Sequence, residues 1–300
     1  MSGTKPTSGK IKITNGSVDQ SSSSMTVGSY EVAYNPTTNK YEAMDKGSTT
    51  PDTPQPTKTY TNGEVVYFNV DNGTKCSNYT ETQSNTGTKS GCMKFYAFND
   101  DGKDTVNLIL DHNTTALVAW NSSGNNADGP ITLLAQLQSD TKLWQGTETP
   151  SNYTMDQTGE TSNAKYTIDY SGYKARLITA QEIATITDYS GWDEKVSANS
   201  KWYYFDSKTT TESDTCKSGD TSGCQYGWLY DRTSKDCTTN GCLNNSDQTT
   251  TGYWTNSSFA SDSDTAWIVY YFAGMDSNIV SNSFLFGVRP VITVLKSNLN

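Results

Sequence analysis

Period-two alternation marks the start of the chain. Ile11 and Ile13 alternate with lysines within Lys10–Thr14, and Asn15-Gly16 supplies a turn signal. A second alternating run, Met25–Tyr34, carries Val27, Tyr30, Val32 and Tyr34. The turn-rich stretch from Asn35 to Asn39 then leads into Lys40–Met44, which is expected to pair back. Residues 1–46 therefore read as a small β unit. So few strands bury little core alone, so the unit is expected to lack a neighbour, as a module trimmed at its N-terminus would. Residues 47–58 set three prolines among Thr and Ser and read as a stiff, extended linker.

From residue 59 onward the pattern mixes both periods. Gly63–Val70, Met93–Phe98, Thr105–Leu110, Ala116–Trp120, Lys165–Tyr170 and Tyr173–Ile178 read as short strands, and Tyr226–Tyr230 as a strand-like aromatic run. Pro130 can occupy the first turn of a helix running to about Trp144, with Ile131, Leu133, Leu134 and Leu137 on one face. Thr179-Ala180-Gln181-Glu182 has the form of a capping box opening a second helix, Ala180–Thr187. The order predicts an α+β fold: loop-rich antiparallel β with two short helices, preceded by the small β unit.

The stretch from about 252 to 294 breaks the pattern. Its end, Val288 to Val294, alternates around Arg289 like a buried strand. Its middle has no single period. Between Thr249 and Val288 there is no Lys, Arg, Glu, Gln, His, Pro or Cys, only small polar residues with aromatic and aliphatic ones among them. Rigid aromatics mixed with Ser, Asn and Asp are the vocabulary of antibody binding loops. The plainer alternative is an irregular loop whose apolar residues are simply buried.

Composition narrows the function classes. The net charge of −10 would repel a phosphate backbone, which argues against nucleic acid as a partner. No stretch is long and apolar enough to span a membrane. The six cysteines fall into three local pairs, Cys76 with Cys92, Cys216 with Cys224 and Cys237 with Cys242, each bracketing a small-residue loop. Their spacings fit no zinc signature, so disulfides and an oxidising, extracellular setting are expected. The single His, His112, lies in a turn, and the carboxylates near Asp104 lack calcium-loop spacing. No cofactor or metal is expected.

Two segments carry a resemblance. The run Arg176-Leu177-Ile178-Thr179-Ala180-Gln181-Glu182 resembles the Arg-Leu-Pro-Thr-x-x-Glu run of proteins related to the formylglycine-generating enzyme, a branch of the C-type lectin fold. Gly252-Tyr253-Trp254-Thr255 and Gly287-Val288-Arg289-Pro290-Val291-Ile292 resemble that branch's closing frame. The likeness covers residues 59–300. Within it, the chain is most similar to variable proteins of diversity-generating retroelements. In that family an adenine-mutating reverse transcriptase rewrites Asn codons, which cannot then yield Lys, Glu, Gln, Met or Trp. Residues 255–286 contain no Lys, Glu or Gln; Trp267 would be framework, and Met275 departs from the pattern. The N-terminal unit is similar to the β part of type IV pilin-like proteins of gut bacteria.

The resemblance implies a binding face at Ser257, Phe259, Asp262, Asp264, Ile268, Tyr270, Tyr271, Phe272, Asp276, Ile279, Ser281, Phe284, Leu285 and Phe286. It implies a non-enzymatic adhesin or receptor, surface-displayed or pilus-associated. Its partners would be a protein or glycan on another cell, phage or host surface, together with pilus subunits. The rivals are a sulfatase-modifying-factor-like oxidoreductase, a calcium-dependent lectin and a structural pilus subunit. The first would need convergent reduced cysteines or several histidines, and the second a Glu-Pro-Asn or Trp-Asn-Asp signature, which the sequence lacks.

Overall fold

The computed structural model describes the strands between residues 11 and 45, and then residues 58–80, 82–83, 89–115, 117–211, 224–230, 252–270 and 273–300. The chain divides into two compact units, Met1–Thr57 and Lys58–Asn300.

Among the described residues the first unit has five strands. β1 (Ile11–Thr14) pairs antiparallel with β2 (Ser17–Ser23). β3 (Met25–Val27), β4 (Tyr30–Asn35) and β5 (Lys40–Asp45) form an antiparallel meander. One sequence reading is corrected here. The run from Met25 to Tyr34 is two strands that pair with each other, Val27 opposite Tyr30, rather than one. Ser17–Ser23 is a strand despite its polar sequence, because Val18 and Asp19 pair with Ile13 and Lys12 and the ladder overrides propensity.

The second unit is built on two five-stranded sheets. The first has the order β19-β11-β10-β6-β7, joining β6 (Val65–Asn69), β7 (Thr74–Lys75), β10 (Cys92–Phe98), β11 (Thr105–Leu110) and β19 (Val291–Leu295). The short ladder β8 (Thr82–Gln83) with β9 (Lys89–Ser90) lies within the loop closed by the Cys76–Cys92 disulfide. The second sheet has the order β14-β17-β16-β15-β18: β14 (Tyr203–Tyr204), β15 (Gly252–Ser258), β16 (Thr265–Tyr270), β17 (Gly274–Ile279) and β18 (Phe286–Gly287). A separate hairpin pairs β12 (Tyr153–Asp156) with β13 (Lys165–Ile168).

The helices are α1 (Ile131–Thr141), α2 (Ala180–Ile186) and α3 (Gly227–Tyr230). α2 carries the full capping box, Thr179 and Glu182 each bonding the other's backbone. The fold is thus α+β and loop-rich, largely antiparallel, with three short α-helices among the described residues where the sequence pattern gave two. α3 replaces the strand read at Tyr226–Tyr230. Its last carbonyls find donors that a strand there would not meet: Arg289 bonds Trp228 O at 2.7 Å and Leu229 O at 2.6 Å, and the Tyr253 hydroxyl also donates to Leu229 O. Tyr173–Ile178 and residues 117–120 are not strands either. Arg176 meets Val291 in an isolated bridge, and the Val118 N–H donates to Phe286 O at 2.9 Å.

Two apolar clusters flank the second sheet. One gathers Phe68, Phe95, Leu108, Trp120, Trp144, Trp254, Ile268 and Phe286; the other gathers Ile183, Trp192, Tyr203, Phe205, Tyr253, Trp267 and Val269. Successive residues of β16 alternate between them, Ala266 and Ile268 toward the first, Trp267 and Val269 toward the second. β15 and β16 are thus covered on both faces, which erases the polar–apolar alternation of a half-exposed strand. β15, β16 and β17 therefore form an antiparallel meander rather than an irregular loop.

Candidate functional site

A bulge organises the site. Trp254 pairs with Ile268, but Ser258 pairs with Ala266, so β15 spends four residues where β16 spends two. The bulged backbone of Thr255, Asn256 and Ser257 loses ladder partners and is buried, so it needs donors and acceptors from elsewhere. Side chains supply most of them. The Trp120 indole donates to Thr255 O at 2.8 Å, the Tyr166 hydroxyl to Asn256 O at 2.8 Å, and the Gln157 amide to Ser258 O at 2.8 Å. The Asn256 backbone N–H donates to Ile178 O at 3.0 Å. Asn126, fully buried, secures the next turn: its side-chain amide lies 2.6 Å from Asp262 O and 2.8 Å from Thr265 O. These anchors hold main-chain groups, and Gln157 Oε1 also accepts from the Ser258 hydroxyl at 3.1 Å.

Below the bulge lies a buried carboxylate. Glu194 accepts hydrogen bonds from the Tyr153 hydroxyl at 2.8 Å, from Ser257 Oγ, and from the Gln181 backbone N–H in the first turn of α2. Burial pushes its carboxyl above the ordinary range against the pull of these donors. Ser257 Oγ also accepts from the Ala180 N–H at 3.0 Å. Arg289 is likewise buried, held by four backbone carbonyls and lying over the Tyr253 ring. It ties α3 to the chain's last strands.

The outer face of the β16–β17 hairpin is built differently. Gly274 pairs with Tyr204 on one side and Tyr270 on the other, so the three stand in one row across three strands. Gly274 has no room for a side chain, since a Cβ there would lie 2.4 Å from the Tyr203 carbonyl oxygen. The row is therefore open in the middle, between two tyrosine rings. Asp276, opposite Ile268, occupies the next row, and Asn278, opposite Ala266, the one after. These residues and Trp202 line an open pocket of about 420 Å³. Trp202 meets Tyr204 edge to face with centroids 5.8 Å apart and is 46% exposed. The Asp276 carboxyl is raised above its usual range by partial dehydration, partly offset by the Ser277 N–H.

The sequence-derived site residues separate into groups. Ile268, Tyr270 and Asp276 meet in this pocket, Ile268 as its buried floor. Asp262, Asp264, Ile279 and Ser281 are exposed at the opposite end of the hairpin, where Thr265 pairs with Ile279. Phe284, 73% exposed, follows, and Leu285 is half-buried. Ser257 and Phe286 do not reach the surface as expected. Ser257 is consumed by the Glu194 network, and Phe286 packs on Trp254 with centroids 5.0 Å apart. Phe259 is half-buried against Trp267 at 4.7 Å. Tyr271 and Phe272 lie outside the described residues, as do Cys216, Cys237 and Cys242; Cys76–Cys92 is a disulfide, and Cys224 is disulfide-bonded.

Sequence reasoning missed Trp202, Tyr204, Gly274 and Asn278. The aromatic run Trp202–Phe205 was visible, but nothing local shows that it forms the edge strand beside β17. Among the described residues, no three His, Cys, Asp or Glu side chains are grouped to hold a metal ion, and no helix is long and apolar enough to cross a membrane.

Comparison with protein-family models, with curated proteins and with solved structures finds no significant match to any of them.

Proposed function

We propose that the protein is a surface-displayed ligand-binding protein, an adhesin or receptor, whose C-terminal segment is a diversified binding face on a C-type-lectin-like frame. The observation that carries this reading is the division of labour within residues 252–286. The frame grips the segment through its main chain, at Thr255, Asn256, Ser258, Asp262 and Thr265. The pocket and the hairpin end meanwhile present side chains of the small-polar and aromatic kind that suits recognition. A frame that reads backbone tolerates replacement of the side chains it displays. The disulfide Cys76–Cys92 is compatible with an extracellular setting. The ligand would be a protein or glycan on another cell, phage or host surface, and the first unit would connect the head to a pilus.

The neighbouring DNA tests the origin of the segment. A near-copy of the codons for residues 252–294, differing only at adenines and close to a reverse transcriptase gene, is the expected finding. Flanking DNA with no such copy would overturn the diversification reading.

A further inference from the structure

The row Tyr204–Gly274–Tyr270 spans two strand spacings, so the two ring-bearing backbones stand about 10 Å apart across Gly274. Both tyrosines line the pocket, and the Tyr270 ring also meets Phe286 with centroids 6.0 Å apart. That gap suits one compact group sandwiched between aromatic faces. Trp202 adds a third ring to the wall. A carboxylate, Asp276, stands one row away on the same face. It bonds the Ser277 N–H at 2.7 Å, and among the described residues no cation pairs with it. No Lys or Arg belongs to the lining, and the chain as a whole carries a charge of −10.

We propose that this pocket takes an organic cation, an ammonium or guanidinium group held between Tyr204, Tyr270 and Trp202 and paired with Asp276. Aromatic faces attract a cation through their quadrupole, and the attraction grows when the site sheds water. A neutral guest would share the rings but leave the carboxylate uncompensated in a partly dehydrated place. The surrounding negative charge draws cations toward the face. This inference rests on the reading of the β16–β17 face as a binding face, and it names the chemistry that the present side chains select. The cation could be a small free amine or a Lys or Arg side chain of a partner protein; the ring-and-carboxylate chemistry is the same.

The test is a titration of the whole chain followed by the indole N–H signal of Trp202 in NMR spectra, assigned by its loss in Trp202→Phe. The probes are tetramethylammonium, N-acetyl-lysinamide, N-acetyl-argininamide, the neutral isostere neopentyl alcohol, and free galactose and glucose. Saturable shifts in the millimolar range are expected with the cations and not with the neutral probes. Asp276→Asn and Tyr270→Ala should each weaken cation binding about tenfold while the rest of the spectrum stays in place. Tetramethylammonium binding better than the two amides points to a free quaternary amine; amides binding better points to a protein side chain. Neutral probes or sugars that bind as well as the cations would overturn the proposal, as would no shift with any probe, or an Asp276→Asn variant that binds unchanged. A failed titration leaves the diversified-face reading standing, because that reading is decided by the flanking DNA.

Discussion

β15 and the outer face of the β16–β17 hairpin are neighbours in one sheet and draw on the same Ser, Asn, Tyr and aliphatic vocabulary, yet they do opposite things. Tyr253 to Ser258 are all buried, and donors from Trp120, Tyr166 and Gln157 hold their main chain. Tyr270, Asp276 and Asn278 stand around an open pocket, and Ile279 and Phe284 are exposed beyond it. The difference comes from what covers each strand rather than from its residue types. Small polar residues are tolerated in the buried strand because the bulge gives their backbone groups fixed partners. The same residues on the hairpin have solvent or a ligand as partner.

The largest effect expected from that contrast is at Trp254. Its ring is fully buried against Phe286, and its indole donates to Val118 O at 2.8 Å. Trp254→Ala removes that packing and leaves Val118 O without its donor, so a loss of about 3–5 kcal/mol is expected in chemical denaturation. A loss under about 1 kcal/mol would mean that β15 is not the frame and would break the comparison.

Much of the framework could be read along the chain. β6, β10, β11 and β13 appear within a residue or two of the runs that announced them, because alternate residues such as Val66 and Phe68, Phe95 and Ala97, and Val106, Leu108 and Leu110 feed the first cluster and keep a period of two. α2 was legible from its capping box alone, and the Cys76–Cys92 pair from its spacing. The meander of 252–279 was not, for a physical reason. Burial on both faces removes alternation, and the bulge between Trp254 and Ser258 shifts whatever period remains. The pocket was half legible. Ile268, Tyr270 and Asp276 stood out by type, but Tyr204 and Trp202 arrive through a sheet pairing between positions some seventy residues apart, Tyr203 opposite Met275, which leaves no local trace. The misplacement of Ser257 and Phe286 has the same root. Residue type cannot say which side of a doubly covered strand faces outward.

A subtler effect separates the two regions by pH. Burial holds the Glu194 carboxyl above its ordinary 4.5, although hydrogen bonds from Ser257, Tyr153 and Gln181 pull it down. The folded chain therefore keeps this proton to a higher pH than the unfolded chain. The stability it contributes is fully present below the unfolded value and is lost as pH rises through the folded one. Glu194→Gln stays neutral throughout. Relative to the parent, its melting temperature should climb as pH is raised from about 4 to about 8. A parallel pair of melting curves across that range would show that the carboxylate is not the cost under β15. Asp276 is raised in the same direction but stands at the open pocket, where water screens it, so Asp276→Asn should change that slope far less.

The smallest expected effect is the one most diagnostic of a display surface. Ile279 is 51% exposed and Phe284 73% exposed, and their side chains contribute to neither apolar cluster. Ile279→Ser and Phe284→Ser should each alter unfolding free energy by no more than about 0.5 kcal/mol, and Asp276→Asn similarly. Combined, the three should remain roughly additive, since Asp276 lies within the pocket and Phe284 beyond the hairpin end. The triple variant would then stay well above Trp254→Ala in denaturation midpoint while its surface has changed from partly apolar to polar. If it instead falls to the level of Trp254→Ala, the hairpin face is structural and the contrast between gripped and displayed strands fails. If it holds, the frame supports a change of chemistry at its outer face without a change of fold, which is the physical condition any diversified binding surface must meet.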